Sequence, residues 1–186
     1  MSITNQVRIN AGKWRTRILK FPDATGLRPT PDRVRQTVFN WLGQELDGLT
    51  CLDLFAGTGV MGFEALSRGA KQAVMIEKSA IAIQFLNQNK ALLNADAAQI
   101  IQTDALYFLA KNQQKFDIIF CDPPYQQQWL DKLLPHLSQH LSQDGFLYIE
   151  AEYTLTTADG FDIVKHSKAG SVYYHLLKVS QVLGAV

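Results

Sequence analysis

Short apolar runs alternate regularly with amphipathic segments from about residue 50 onward. The apolar runs are typical of buried strands, and the segments with apolar side chains three or four positions apart are typical of helices. The pattern predicts strands over residues 50–55, 73–77, 99–103, 116–121 and 146–150, and helices over 59–67, 80–93, 105–111 and 128–141. Strands that alternate with helices in this way form a mostly parallel sheet with right-handed crossovers.

The two ends of the chain depart from this repeat. Residues 161–166 and 172–179 predict two strands with no helix between them, and therefore an antiparallel hairpin at the edge of the sheet. Within residues 5–29, the stretch VRINAGKWRTRILKF predicts another short hairpin. Thr30-Pro31-Asp32 predicts the start of a helix that runs to about residue 46, with the Thr30 hydroxyl as its cap. We expect an α/β fold with a doubly wound sheet, divided into an N-terminal arm (1–29) and a globular domain (30–186).

The composition, with 186 residues, 47% apolar and 19% charged, is that of a single globular domain. No apolar run approaches the roughly 20 residues of a membrane helix, and the first ten residues lack the apolar segment of a secretory signal. Cys51 and Cys121 each lie in an apolar run, which favours buried thiols over a disulfide. No zinc-type spacing of Cys and His is present. We expect a cytoplasmic protein without a metal.

The net charge of +1 conceals a strong asymmetry along the chain. Residues 1–35 contain eight basic and two acidic side chains, whereas residues 36–186 contain ten and fifteen. A basic arm that also carries Trp14 and Phe21 is suited to contact the phosphate backbone of a nucleic acid. The alternative is a tail that only increases solubility.

Four successive predicted strands carry an acidic residue at their carboxyl ends. The first ends in Asp53-Leu54-Phe55 and the second in Glu77, Asp104 follows the third, and Asp122 follows the fourth. Ligands of an open α/β sheet bind beyond the carboxyl ends of the strands. Asp also favours turns for local reasons, but four acids in succession indicate a binding site at one rim.

The stretch LDLFAGTGVMG contains the spacing G-x-G-x-x-G at Gly57, Gly59 and Gly62. Glycines let the backbone approach a ligand closely, and the helix that follows presents free N–H groups. With Glu77 placed to bind ribose hydroxyls, the loop suits NAD or S-adenosylmethionine, since both contain adenosine. Asp53 favours the second, because a carboxylate repels a pyrophosphate and attracts a sulfonium cation. The alternative for Asp53 is that it caps its own turn.

The tetrapeptide Asp122-Pro123-Pro124-Tyr125 follows the fourth predicted strand. Its prolines stiffen the chain and leave no N–H to close a turn, so the Asp122 carboxylate and a neighbouring carbonyl can point outward as acceptors. The exocyclic amine of a base needs two such acceptors, and Tyr125 offers a face on which the base can stack. The motif therefore predicts methyl transfer to an amine, catalysed by positioning and electrostatics.

These motifs together resemble the Rossmann-like class I methyltransferases that use S-adenosylmethionine. More narrowly, the chain resembles the bacterial RsmD family of 16S ribosomal RNA guanine-N2 methyltransferases, through RINAGKWRTRIL, GLRPTPDRVRQTVFNWL, LDLFAGTGVMGFEALSRGA, IEKS and DPPY. The resemblance runs from about Arg8 to Tyr125 and continues more loosely to the last strand. It implies methylation of the exocyclic N2 of one guanine, conventionally numbered 966 in that RNA.

The resemblance also implies roles for individual residues. Asp53, Gly57 and Gly59 would contact the methionine part of the cofactor, Glu77 the ribose and Asp104 the adenine amine. Asp122 and the Pro123 carbonyl would orient the guanine N2, and Tyr125 would stack on the base. Thr30 would face the methionine carboxylate, or only cap its helix. The candidate cofactor residues are Thr30, Asp53, Phe55, Gly57, Gly59, Glu77, Asp104 and Ala105; the candidate catalytic residues are Asp122, Pro123, Pro124 and Tyr125; the candidate RNA contacts are Arg8, Lys13, Arg15, Arg17, Arg28, Arg33 and Arg35.

Other functions remain open from the sequence. An NAD-dependent oxidoreductase would need a catalytic Tyr/Lys or His/Asp pair in the second half, and no convincing pair is present. An RNA-binding module without activity is disfavoured by the intact acids, and a DNA adenine-N6 methyltransferase by the lack of room for a target-recognition domain. Arg33 and Arg35 could pair with the acidic body instead of RNA. We expect a monomer that acts on 16S ribosomal RNA, in a partly assembled small subunit.

Overall fold

A two-stranded hairpin and a seven-stranded sheet make up the β structure of the computed structural model, which describes residues 4–24, 27–124, 128–156, 158 and 160–180. The strands are β1 (Thr4–Arg8), β2 (Ile18–Pro22), β3 (Thr50–Asp53), β4 (Gln72–Glu77), β5 (Ala98–Gln102), β6 (Phe116–Cys121), β7 (Leu141–Ala151), β8 (Phe161–Ala169) and β9 (Val172–Val179). The order across the large sheet is β5-β4-β3-β6-β7-β9-β8. Strands β3 to β7 are parallel, and β9 is antiparallel to both β7 and β8. The predicted α/β sheet with a C-terminal antiparallel hairpin is confirmed.

Helices cover both faces of the sheet. They are α1 (Asp32–Leu42), α2 (Val60–Ser67), α3 (Ala80–Leu93), α4 (Ala105–Lys111) and α5 (Trp129–Leu137). Successive strand residues point to opposite faces: Cys51 belongs to the apolar cluster with α1, α2 and α3, and Leu52 to the cluster with α4 and α5. Because both faces are covered, the parallel strands are apolar at nearly every position.

The β1–β2 hairpin packs on the same face as α1 and α3. Ile9 and Leu19 are fully buried and belong to one apolar cluster with Val38 and Leu86. Asn89 of α3 holds β2 in place, because its side chain accepts from the backbone N–H of residue 20 (3.1 Å) and donates to the carbonyl of the same residue (2.8 Å). The basic arm is therefore anchored on the domain by apolar and polar contacts.

The loop between β1 and β2 is fastened to α2. The Glu64 carboxylate accepts hydrogen bonds from the backbone N–H groups of Asn10 (2.8 Å) and Ala11 (3.0 Å). The Ser67 hydroxyl accepts from the backbone N–H of Trp14 (2.9 Å) and donates to the carbonyl of Ala11 (2.5 Å). These partly buried hydrogen bonds fix the backbone, so the basic side chains of this loop project from a defined frame.

Some predicted boundaries were wrong. α1 ends at Leu42 rather than near residue 46, because Gly43 adopts a positive φ of 91° that leaves the helical region. Pro31 occupies the cap position and no side chain caps the helix, so Thr30 does not have the predicted capping role. α5 ends at residue 137 instead of 141, and a 3₁₀ turn leads directly into β7.

Cys51 and Cys121 are buried free thiols. Within the described ranges, no helix is long and apolar enough to cross a membrane. The same residues contain no group of three or more His, Cys, Asp or Glu side chains placed to hold a metal ion.

Candidate functional site

The carboxyl ends of the parallel strands carry acidic side chains along one rim of the sheet. Asp53 and Glu77 are the last residues of β3 and β4, and Asp122 directly follows β6. Asp104 is the N-cap of α4, two residues after the end of β5. The fold thus brings the four predicted acids to the edge at which ligands of α/β sheets bind.

The Gly-rich loop connects β3 to α2 with two residues in the left-handed region, Gly57 (φ 51°) and Gly59 (φ 78°). A Cβ on Gly59 would lie 2.4 Å from the Leu86 side chain, so this position requires glycine. Gly62 has another role, because its missing Cβ makes room for Met75 of β4, which would otherwise be 2.7 Å away. The third glycine of the spacing therefore serves helix–strand packing.

Asp53 is 4% exposed, and its carboxylate accepts a hydrogen bond from the backbone N–H of Gly62 at 3.2 Å. Burial raises the pKa of Asp53 to about 7, and the nearby Glu77 carboxylate adds to this rise. The N–H groups of Gly62 and Phe55 act in the opposite direction, because they stabilise the ionised form. No ion pair neutralises Asp53 within the described residues, so the carboxylate favours a cationic ligand.

Glu77 and Asp104 are held by backbone donors. The two Glu77 carboxylate oxygens accept from the N–H groups of Gly57 (2.9 Å) and Ser79 (2.7 Å), and each retains further acceptor capacity. One Asp104 oxygen accepts from the N–H groups of residues 106 (3.0 Å) and 107 (3.3 Å), and the other lies 3.9 Å from Lys78 Nζ. Both carboxylates are thus oriented, and each can still accept from hydroxyl or amino groups of a ligand.

Asp122 lies in an unusual electrostatic environment. Burial raises its pKa well above the ordinary range, and the charges of Glu150 and Asp53 raise it further. Pro123 is buried and Pro124 is exposed, so the motif begins inside the rim and then emerges from it. The predicted stacking residue, Tyr125, lies outside the described residues.

Glu150 and Tyr148 of β7 were missed by the sequence analysis as site residues. Glu150 is 3% exposed, and the Tyr148 hydroxyl donates to it at 2.8 Å. Thr30 also hydrogen-bonds to the Glu150 side chain, which gives this residue a partner other than its own helix. Burial raises the pKa of Glu150, whereas these two donors lower it. The sequence contains a signal for Glu150, because β7 is another parallel strand whose carboxyl end carries an acid.

A cavity at the rim brings together Asp53 and Asp122, whereas Glu77, Asp104 and Glu150 are not among its lining residues. It is lined on one side by the Gly-rich loop and on the other by the residues around Asp122, with these members: Arg28, Thr30, Asp53, Phe55, Ala56, Gly57, Thr58, Val60, Met61, Phe120, Asp122 and Tyr148. Phe55 is half-buried and packs edge-on against Trp129 of α5, with ring centroids 5.4 Å apart. Ala105, predicted with the cofactor residues, is buried at the start of α4 and is not among the lining residues.

The predicted RNA contacts divide into an exposed set and one buried residue. The side chains of the following residues are exposed: Arg8, Lys13, Arg15, Arg17, Arg28 and Arg33. Arg35 is fully buried and its guanidinium donates to the carbonyls of Thr30 (2.7 Å) and Arg8 (2.6 Å) and to Asp32 (2.6 Å). The prediction that Arg35 contacts RNA is wrong, because its donors hold the hairpin and the segment before α1 together.

Comparisons with known proteins identify relatives over nearly the whole chain. The family described as Conserved hypothetical protein 95 matches residues 7–178. Ribosomal RNA small subunit methyltransferase D of Escherichia coli is 39% identical over 178 residues, which cover 93% of this chain and 90% of the relative. The Haemophilus influenzae protein of the same name is 37% identical over 179 residues, with 92% and 93% covered.

A solved structure gives the same result for the fold. A protein from Escherichia coli described as a methyltransferase superimposes with a TM-score of 0.84 at 38% identity, covering 94% of this chain and 98% of that one. The similarity therefore includes the hairpin, the sheet and the rim.

Proposed function

The chain belongs to the RsmD family of ribosomal RNA methyltransferases, described as Conserved hypothetical protein 95, and we propose that it methylates the exocyclic N2 of one guanine in 16S ribosomal RNA. The cofactor of this methyltransferase is S-adenosylmethionine. The observation that carries the proposal is the position of Asp122, which lines the same cavity as Asp53 and the Gly-rich loop.

The residues at the rim fit this cofactor. Asp53 is a buried carboxylate without an ion-pair partner in the described part of the chain, which suits a sulfonium cation. Glu77 retains acceptor capacity for the ribose hydroxyls. The positive φ angles of Gly57 and Gly59 allow the tight turn that brings the backbone of Gly57 and Thr58 to the cavity. The bound cofactor supplies an electrophilic methyl group, and the protein supplies the position of the amine.

Asp122 and the Pro123 carbonyl would accept the two N–H bonds of the guanine N2. This arrangement leaves the nitrogen lone pair directed at the methyl group, so that the reaction depends chiefly on alignment. The amine loses one proton as it gains the methyl group, and the Asp122 carboxylate is placed to accept it. Tyr125 would stack on the base, in a segment beyond the described residues.

The exposed cations of the hairpin and of the segment before α1 would bind the RNA backbone. Glu64 and Ser67 fix the backbone of the loop that carries Lys13, Arg15 and Arg17, so little backbone conformational entropy is lost when RNA binds. Arg28 both lines the cavity and is exposed, so it would lie between the bound RNA and the reacting base. We expect phosphate contacts to supply affinity and the cavity to select the base.

The decisive experiment maps the methylated nucleoside. The protein is incubated with S-adenosylmethionine and small-subunit RNA, and the RNA is digested and analysed by mass spectrometry. N2-methylguanosine at a single position is expected, and replacement of Asp122 by Ala should lower the rate at least about 100- to 1,000-fold. The affinity of that variant for S-adenosylmethionine, measured by calorimetry, should change by less than about tenfold.

The exposed Asp96, which precedes β5 at the opposite end of the sheet, provides a matched control. Asp96→Asn should retain full activity. Formation of N6-methyladenosine would instead support the alternative of an adenine methyltransferase. Equal loss of cofactor binding and methyl transfer in Asp122→Ala would contradict the assigned role.

The physical form of the substrate is a further part of the proposal. A chain of 186 residues with a short basic hairpin has a small area for RNA recognition, so we propose that proteins already bound to the RNA help to present the guanine. A monomer acting in the cytoplasm on a partly assembled small subunit is expected. Methylation rates on naked 16S RNA and on purified small subunits, with the protein's mass measured by light scattering, test these points.

A further inference from the structure

Asp122 and Glu150 are neighbours on adjacent parallel strands. β6 and β7 pair in register up to Cys121 and Ile149, so the next residues, Asp122 and Glu150, occupy equivalent positions about 4.8 Å apart in the direction of the hydrogen bonds. They continue the row that contains Phe120 and Tyr148, whose ring centroids are 6.2 Å apart. The register therefore places the two carboxyl groups side by side, and Asp122 of this pair lines the cavity.

The donors around this pair favour ionisation of Glu150. The Tyr148 hydroxyl and Thr30 both donate to the Glu150 carboxylate. No salt bridge neutralises either acid within the described residues. Glu150 is buried and Asp122 is partly buried. Two adjacent carboxylates removed from water cannot both ionise readily, so the donors to Glu150 favour Asp122 as the carboxyl group that holds the proton in the free protein.

The ionisable groups that face this pair come from several elements. They are Asp53 at the end of β3, Cys121 at the end of β6 and Tyr148 in β7. Arg28 before α1 lines the same cavity, Glu77 at the end of β4 acts on Asp53, and Tyr174 in β9 acts on Tyr148. Acids predominate in this set, and Arg28 is exposed. A cation bound in the cavity is therefore the partner that would allow all the carboxyl groups to ionise.

We propose that Glu150 is a positioning residue that acts through Asp122: it keeps Asp122 protonated in the free protein and makes its ionisation depend on a bound sulfonium cation. Asp122 then becomes an acceptor for the guanine amine only when the methyl donor is present. The inference rests on the proposed amine methylation for its consequence in catalysis, but its electrostatic part does not require RNA.

The charges balance through the reaction. The S–CH₃ bond of the sulfonium breaks and the N2–CH₃ bond forms, which leaves a neutral thioether and a proton released from N2. Asp122 takes up that proton as the positive charge on sulfur disappears, so the total charge of the site is unchanged. The protonated Asp122 is then a poorer acceptor for the methylated amine, which favours release of the product.

The test measures protons released when the cofactor binds to the full chain without RNA. Calorimetric titrations with S-adenosylmethionine in buffers of different ionisation enthalpy give this number, and S-adenosylhomocysteine, which lacks the sulfonium charge, is the matched ligand. We expect proton release to approach one for the first ligand at pH values between the Asp122 pKa of the complex and that of the free protein, and to be much smaller for the second. Equal release for both ligands would overturn the proposal.

Two variants make the test specific. Glu150→Gln keeps acceptors for Tyr148 and Thr30 but removes the neighbouring charge, so the pH at which proton release is greatest should move down by about one unit or more. Tyr148→Phe removes a donor that stabilises the ionised Glu150 and leaves both carboxyl groups in place. The pH of greatest proton release should therefore move up. A shift of this pH in the same direction for both variants, or no shift, would contradict the proposal. The control variant Asp96→Asn should match the wild type.

The RNA assay separates this inference from the proposed function. If the wild type forms N2-methylguanosine but the proton release of Glu150→Gln is unchanged, only the role of Glu150 fails. If proton release behaves as expected but no N2-methylguanosine forms, the proposed substrate fails and the charge coupling remains.

Discussion

Glu64 and Glu150 are two buried glutamates with opposite surroundings. Glu64, with no exposed surface, binds Arg68 through a salt bridge of 2.9 Å and accepts from two backbone N–H groups of the hairpin loop. Glu150 is 3% exposed, accepts from neutral hydroxyl groups and lies beside Asp122. The first charge is neutralised by its partners, and the second is left uncompensated within the described residues.

The difference distinguishes a structural acid from a functional one. A buried carboxylate with a cation beside it and donors to both oxygens has its charge matched by its partners, so it can hold two segments together. A buried acid beside another acid is poised to bind or release a proton when a ligand arrives. Burial alone would not have told the two glutamates apart, because both are almost completely buried.

The largest effect is expected at Glu64. Glu64→Gln leaves Arg68 buried without its anion and removes one acceptor from the hairpin loop, so the free energy of unfolding should fall by about 3–5 kcal/mol. Urea denaturation followed by circular dichroism measures this value. The exposed Glu45 is the matched control, and Glu45→Gln should change stability by less than about 0.5 kcal/mol. Similar values for the two variants would show that the Glu64 contacts are not structural.

A smaller loss is expected at Arg35, the buried counterpart of the exposed Arg33 on the same helix. Arg35→Met leaves the carbonyls of Thr30 and Arg8 and the Asp32 carboxylate without their donor, but it also removes a buried charge. The net loss should be about 2 kcal/mol, with faster proteolysis of the hairpin. Arg33→Met should leave the free energy of unfolding unchanged. Equal losses in the two variants would show that the buried contacts of Arg35 do not stabilise the fold.

The buried carboxyl groups that lack an ion-pair partner among the described residues should make the free energy of unfolding depend on pH. Asp53 has its pKa raised to about 7 in the folded protein, so the native state holds a proton that the unfolded chain releases at lower pH. Stability from this group is present at acidic pH and is lost as the pH rises to about 7, by up to about 1.4 kcal/mol per unit. Asp53→Asn should become progressively more stable than the wild type between pH 4 and 7, as measured by thermal unfolding. A constant difference across that range would contradict the raised pKa.

The smallest effect on stability is expected on the exposed arm. Replacing both Arg15 and Arg17 by Gln should change the free energy of unfolding by less than about 0.5 kcal/mol. The dependence of RNA affinity on salt should nevertheless weaken, by a slope of up to about 1.4–1.8 if both side chains contact phosphates. Lys71 and Lys115, exposed at the amino ends of β4 and β6, are a matched pair. If neutralising them lowers the slope equally, the arm is not a specific contact surface.

The amino-acid sequence by itself determined the strand–helix alternation, the hairpins at both ends and the four acids at Asp53, Glu77, Asp104 and Asp122. These features follow from local periodicity, glycine and proline positions, and the rule that parallel strands end at one rim. The sequence could not distinguish Arg33 from Arg35, which are both basic residues on one predicted helix. That distinction depends on which face of α1 packs against the hairpin.

Only the tertiary structure decided which distant donors meet the buried acids. Glu64 lies more than 50 positions from the backbone donors of the hairpin loop, and Thr30 is far from Glu150 along the chain, so neither pairing leaves a local pattern. The pairing of Asp122 with Glu150 depends on the register of β6 and β7, in which a shift of one residue would turn one carboxyl to the opposite face. Local sequence predicts the elements, and the packing between distant elements determines which donors reach the buried acids and which carboxyl groups lie side by side.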